Sequence, residues 1–94
     1  MSEIAQKNRQ ILSISNSRVQ IMLVMLEPWG EDYWLLPGEN FFVKAESKSG
    51  DFWYHVDFEE VVSVYVDGDY ESVLVMQNDD VLECGHNRPP HAFT

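Results

Sequence analysis

The chain has 94 residues, with 16 Asp and Glu against 6 Lys and Arg for a formal net charge of −10; 45% of its residues are apolar and 13% aromatic. That length makes one domain, the apolar content excludes a wholly disordered chain, and a single cysteine excludes an internally cross-linked scaffold. Generic nucleic-acid binding and adhesion to an anionic membrane are excluded as well, because both need cations gathered against phosphate, whereas Lys7, Arg9, Arg18, Lys44, Lys48 and Arg88 are scattered.

The start, Met1 to Gln6, shows no basic stretch followed by a long apolar run, so no signal peptide is expected. The longest apolar run, Ile21 to Leu26, is far shorter than the ~20 residues that span a bilayer. A lone thiol without an export signal predicts a cytoplasmic protein.

Residues 1–10 are polar apart from Met1, Ile4 and Ala5 and read as a flexible arm or a single helical turn. Strand patterning begins at Ile11, with Leu12 and Ile14, and stops at Asn16-Ser17. Arg18 to Glu27 follows, with Val19, Ile21, Leu23 and Met25 on one face and Gln20, Met22, Val24 and Leu26 on the other, which predicts a central strand covered on both sides towards its end. Glu27-Pro28-Trp29-Gly30 breaks it. Tyr33 to Leu36 is a short aromatic strand that ends at Pro37-Gly38, a dipeptide compatible with a type II turn.

Phe41 to Glu46 alternates, with Phe41, Val43 and Ala45 against Lys44 and Glu46; Ser47 to Gly50 is a loop. Asp51 to Phe58 places Phe52, Tyr54, Val56 and Phe58 on one face and Trp53, His55 and Asp57 on the other. Val62, Val64 and Val66 face inward, Asp67-Gly68-Asp69 turns, and Val73 to Met76 with Val81 to Cys84 makes a closing hairpin around Asn78-Asp79-Asp80. Seven to eight short strands with regular turns and no convincing helical period predict an all-β fold, a compact antiparallel β-sandwich or flattened barrel. The expected organisation is an arm over 1–10, one domain over 11–85 and an irregular tail over 86–94.

Leu26-Glu27-Pro28-Trp29-Gly30, followed by Leu36-Pro37-Gly38-Glu39, resembles a pattern in a group of small bacterial all-β proteins of no agreed activity. Val62 to Val66 and Val73 to Asp79 are similar to that group's closing strands and hairpin, so the resemblance covers roughly residues 18–84. Its motifs make turns, so it implies a fold and carries over no catalytic residue. Cys84-Gly85-His86 departs from the group's pattern.

Cys84, His86 and His91 offer thiolate and imidazole to a metal such as zinc, but three ligands at this spacing match no established zinc pattern, so a core cysteine beside solvent-facing histidines is the expected outcome. Cys84 as a nucleophile, with His86 or His55 as base, lacks the cationic neighbours that lower a thiol pKa. Asp67-Gly68-Asp69-Tyr70-Glu71 has oxygen ligands at alternate positions but not the rest of a calcium loop. Adjacent carboxylates at Glu59-Glu60 and Asp79-Asp80 point apart and read as surface charge.

The aromatics exceed what a core of this size needs. Trp29, Tyr33, Trp34 and Trp53 are the candidate anchors of a contact surface, with Glu31, Asp32 and Asp57 as its acidic rim. The sequence therefore predicts a non-enzymatic domain, without cofactor, that binds a protein partner or forms a homo-oligomer. The alternatives are an acidic inhibitor or immunity-type protein that plugs a basic enzyme, and a small metal-binding β-barrel enzyme.

Overall fold

Period-two alternation buries one side of each strand, and two such half-buried sheets satisfy each other by stacking. The computed structural model describes residues 8–48, 50–58 and 61–93; of the arm expected over 1–10, residues 1–7 lie outside them, as does the Glu59-Glu60 pair, whereas Asn8, Arg9 and Gln10 belong to the first strand, where they pair with Ser47, Glu46 and Ala45. Eight strands form among the described residues: β1 (Asn8–Ser15), β2 (Met22–Glu27), β3 (Glu31–Leu35), β4 (Asn40–Ser47), β5 (Phe52–Phe58), β6 (Val62–Gly68), β7 (Ser72–Gln77) and β8 (Asp80–Val81). The first sheet has the order β1-β4-β7-β8 and the second β3-β2-β6-β5. The fold is an all-β sandwich and not a closed barrel. No helix long and apolar enough to cross a membrane occurs among the described residues.

Every strand pair is antiparallel except β2 and β6, which run parallel with Val24 opposite Val62 and Leu26 opposite Val64. That pair departs from the purely antiparallel expectation. A parallel pair needs a long crossover, and here the connection passes through β4 in the other sheet. Phe41, Val43 and Ala45 of β4 meet Val24, Leu26 and Leu35 of β2 and β3 and Val62, Val64 and Val66 of β6 in one core. Burying side chains of this size contributes roughly 1.5–3 kcal/mol each for the larger ones.

The strand predicted over Arg18 to Glu27 is shorter, and its inward face is the even one: Met22, Val24 and Leu26 are buried, while Val19 is 92% exposed. The physical reason is Asn16. It is wholly buried and holds the β1–β2 loop: its Nδ2 donates to Gln20 O (2.8 Å) and Leu35 O (2.9 Å), and its Oδ1 accepts from Arg18 N–H (2.9 Å). The loop therefore runs through Gln20, and the strand starts beyond it. Leu36-Pro37-Gly38-Glu39 closes with Glu39 N–H donating to Leu36 O (3.0 Å), and Gly38 at φ +84° makes it the type II turn expected. Asn78 and Asp79, both left-handed at φ +52° and +69°, form the two-residue loop of the β7–β8 hairpin.

The sandwich has two side seams. At one, the free edges of β1 and β5 are tied by Tyr54, whose hydroxyl donates to Gln10 O (2.7 Å) and accepts from Ala45 N–H (3.1 Å). At the other, the chain leaves β8 and crosses to the second sheet, where Gly85 N–H donates to Asp32 O (2.6 Å) and Trp34 N–H donates to His86 O (2.9 Å). The tail predicted as irregular is thus a strap along the edge of β3.

Candidate functional site

The candidate anchors do not share a surface. Tyr33 points inward from β3, is 5% exposed, and meets Phe41 edge to face at 6.1 Å. Its hydroxyl donates to Glu31 Oε1 (3.1 Å), and burial first, then the Glu31 charge, pushes its pKa well up, so it stays a donor. Tyr33 is a core residue, which corrects its assignment as an interface anchor. Trp34 and Trp53 lie on the outer face of the second sheet but on its opposite edge strands, with β2 and β6 between them, roughly 14 Å apart at the least. Trp29 sits in the β2–β3 turn and stands perpendicular to Tyr70, with centroids 5.6 Å apart.

The acidic rim divides likewise. Asp57 is exposed on β5 opposite Ser63, and Glu31 is half-buried. Asp32 is 3% exposed because the strap covers it, so it presents no charge to a partner. Arg88 grips it with Nε donating to Oδ2 (2.7 Å) and Nη2 donating to Oδ1 (2.6 Å); Trp34 Nε1 adds a bond to Oδ2 (2.8 Å) and Cys84 Sγ one to Oδ1 (3.4 Å). The bonded Arg88 guanidinium holds the Asp32 carboxyl far below the usual carboxylate range, against the opposing push of burial. Arg88 also lies over the ring of Phe93 at 5.6 Å, and Phe93 packs on Trp34 at 6.1 Å. Sequence reasoning missed this assembly. The one available signal was Arg88, the sole Lys, Arg, Asp or Glu in the tail over 86–94.

The Cys84, His86 and His91 triad is not assembled. Cys84 turns to Asp32, the His86 backbone bridges β3, and among the described residues no three of His, Cys, Asp and Glu gather so as to hold a metal. The Asp67 to Glu71 segment serves the β6–β7 connection: Gly68 takes φ +100°, where a Cβ would fall 2.5 Å from Asp51 O, and Asp69 N–H donates to that same oxygen (2.9 Å).

The surface that strand register does build lies elsewhere. On the outer face of the first sheet, Ser13, Phe42, Met76 and Val81 form one row across four strands, and Ile11, Lys44 and Leu74 form the next. Ile11, Phe42, Leu74 and Val81 are each between 40% and 57% exposed. A shallow groove of about 380 Å³ runs between Ile11, Phe42, Lys44 and Met76 and reaches Asn78 and Asp79. A third row carries charge: Arg9 Nε lies 3.3 Å and Lys44 Nζ 3.7 Å from Glu46 Oε1. The patch thus has a cationic end at Arg9 and Lys44 and an acidic end at the Asp79-Asp80 hairpin. The strand pattern alone held no sign of it, because Ile11, Phe42, Leu74 and Val81 come together only through non-local pairing.

Comparisons with protein families, with curated proteins and with solved structures give no match.

Proposed function

We propose that this protein is a non-catalytic, cytoplasmic contact domain that pairs with a second copy of itself through the outer face of its first sheet. The observation that carries the reading is the pair of adjacent rows that hold the half-exposed apolar side chains of Phe42 and Val81 and of Ile11 and Leu74. Singly exposed apolar residues are ordinary, but a contiguous apolar patch across a whole sheet is a contact site. Its charges favour a second copy over an arbitrary surface. A twofold axis through the patch lays the Asp79-Asp80 end of each copy over the Arg9 and Lys44 end of the other, as an isologous interface requires.

The strength follows from size. Strands of 8, 8, 6 and 2 residues, at about 3.4 Å per residue and about 4.8 Å apart, give about 400 Å² per copy, at the small end for a specific interface. Two copies each at −10 also repel. The dimer is therefore weak, with dissociation in the micromolar range or above.

Sedimentation equilibrium over a concentration series tests this. Monomer is expected at low micromolar concentration, dimer in the high micromolar range, and more than tenfold weaker association for Phe42→Ser and Leu74→Ser, whose exposed positions leave stability nearly unchanged. A chain that remains monomeric at about 0.5 mM, or one that dimerises equally well with both substitutions, overturns the reading.

A further inference from the structure

We infer that the cleft between Trp29 and Tyr70 is a binding site for a cationic side chain, lysine or arginine, presented by a basic protein partner. The cleft opens where the β2–β3 turn of the second sheet meets the start of β7 in the first. It has a volume of about 470 Å³ and is lined by Leu26, Trp29, Glu31, Tyr70, Glu71 and Val73, with Ser72 at the margin.

Three features of this cleft fit an organic cation. First, Trp29 and Tyr70 meet edge to face at 82° and both line the cleft. Ring faces carry negative electrostatic potential, and a cation within ~6 Å of a ring centroid is held by it, most strongly by tryptophan. Trp29 is 44% exposed, so its ring is accessible from solvent. Second, two carboxylates line the cleft, Glu31 from β3 and Glu71 from the β6–β7 connection. Glu31 is fixed in place, because the buried Tyr33 hydroxyl donates to its Oε1. Third, no cation of the described chain satisfies them. Arg9 and Lys44 go to Glu46, and Arg88 goes to Asp32.

An apolar ligand would leave the two carboxylates desolvated, and an anion would be repelled by them. A bare metal ion would find too few converging oxygens, since no metal-holding group of three occurs among the described residues. A guanidinium or ammonium on an apolar stem meets every wall: its stem runs along Leu26 and Val73, its charge sits on the rings, and its N–H groups face Glu31 and Glu71. The overall charge of −10 draws a basic partner towards this cleft. The site does not rest on the sheet-face association, although Ser72 at its margin stands opposite Glu46, beside the cationic end of that patch.

The test is titration of the isotope-labelled chain with three short peptides that share one sequence and carry arginine, lysine or citrulline at the centre, followed by NMR. Saturable shifts of the Trp29 indole N–H and of the Glu71 and Ser72 amides are expected with the arginine and lysine peptides, weakening as salt rises. Citrulline keeps the shape of arginine without its charge and should bind at least tenfold more weakly. Trp29→Ala should abolish the shifts. Because that ring also packs on Tyr70, Glu71→Gln serves as the second variant: its side chain is exposed, its fold should be unchanged, and it should weaken binding severalfold. Equal binding of citrulline and arginine, no saturable shift at about 10 mM peptide, or shifts mapping to the first-sheet patch each overturn the inference. Binding of free tetramethylammonium as tight as either peptide would assign the cleft to a small cation instead of a protein side chain.

Discussion

The outer faces of the two sheets are made from similar alternating sequences and end in different states. On the first sheet, Ile11, Phe42, Leu74 and Val81 stay open to solvent. On the second, Trp34 lies half-buried against Phe93, and Asp32 is enclosed by Arg88, Cys84 and Trp34. The difference comes from the strap. The chain crosses from β8 to the edge of β3 and lays its last described residues over the face beyond. Alternation guarantees a buried inner face, but it leaves the outer face to whatever the rest of the chain, or another molecule, supplies. The strap also shields the edge of β3, where unpaired N–H and C=O groups would otherwise invite another chain. The first sheet ends on one side in the two-residue β8 and on the other in β1, which Tyr54 ties to β5, and its apolar exposure lies on the face.

The contrast can be broken at its strongest point first. Asp32→Ala should cost about 2–3 kcal/mol, because it removes the buried acceptor that holds the Trp34 indole and two Arg88 N–H groups. Urea denaturation reads the cost, and hydrogen exchange should show residues 84–93 opening while the first sheet stays protected. A cost no larger than that of an ordinary surface change would mean that the strap contributes nothing to the fold.

Acid sharpens the same point. The Asp32 carboxyl is depressed in the folded chain, so its stabilisation is fully present above the unfolded value of about 3.9 and is lost as pH falls through the folded value. Asp32→Asn removes that linkage. The stability gap between the parent chain and this variant should be constant from pH 7 to about pH 5 and should narrow below about pH 4. A gap that widens in acid would contradict the assignment. The smallest effect is expected at Trp53, which is 55% exposed on the far edge of the second sheet, beyond the strap: Trp53→Ala should shift stability by about 0.5 kcal/mol or less and leave association intact. Loss of association in that variant would move the contact surface from the first sheet to the second.

Much of the fold was legible because local rules and tertiary structure agree. Phe41, Val43 and Ala45, and again Val62, Val64 and Val66, alternate as their burial does, and the turns at Pro37-Gly38 and Asn78-Asp79 carry the residues their backbones need. Around Met22 the two candidate faces are almost equally apolar, so pattern could not choose between them; the buried Asn16 decides, through partners 4 and 19 residues away. The contact surface was the least legible. Counting aromatics picked out Tyr33, which the core takes, and Trp34, which the strap takes, while Ile11 and Val81, 70 positions apart, look unremarkable until β4 and β7 bring them into one patch. Trp29 and Glu31 stand out in the sequence, but Tyr70 and Glu71, which line the same cleft, read there only as the end of an incomplete calcium loop.

The order in which the chain visits the two sheets has a kinetic consequence. It enters the first with β1, the second with β2 and β3, the first with β4, the second with β5 and β6, the first with β7 and β8, and returns to the second with the strap. Neither layer can be completed by any continuous half of the polypeptide, and the parallel β2–β6 pair must wait until everything between them has been made. Such a topology has high contact order, so refolding should occupy milliseconds to seconds rather than microseconds. On the ribosome no stable fragment is expected until the strap has emerged, which leaves the half-made sheets in need of chaperone protection during synthesis.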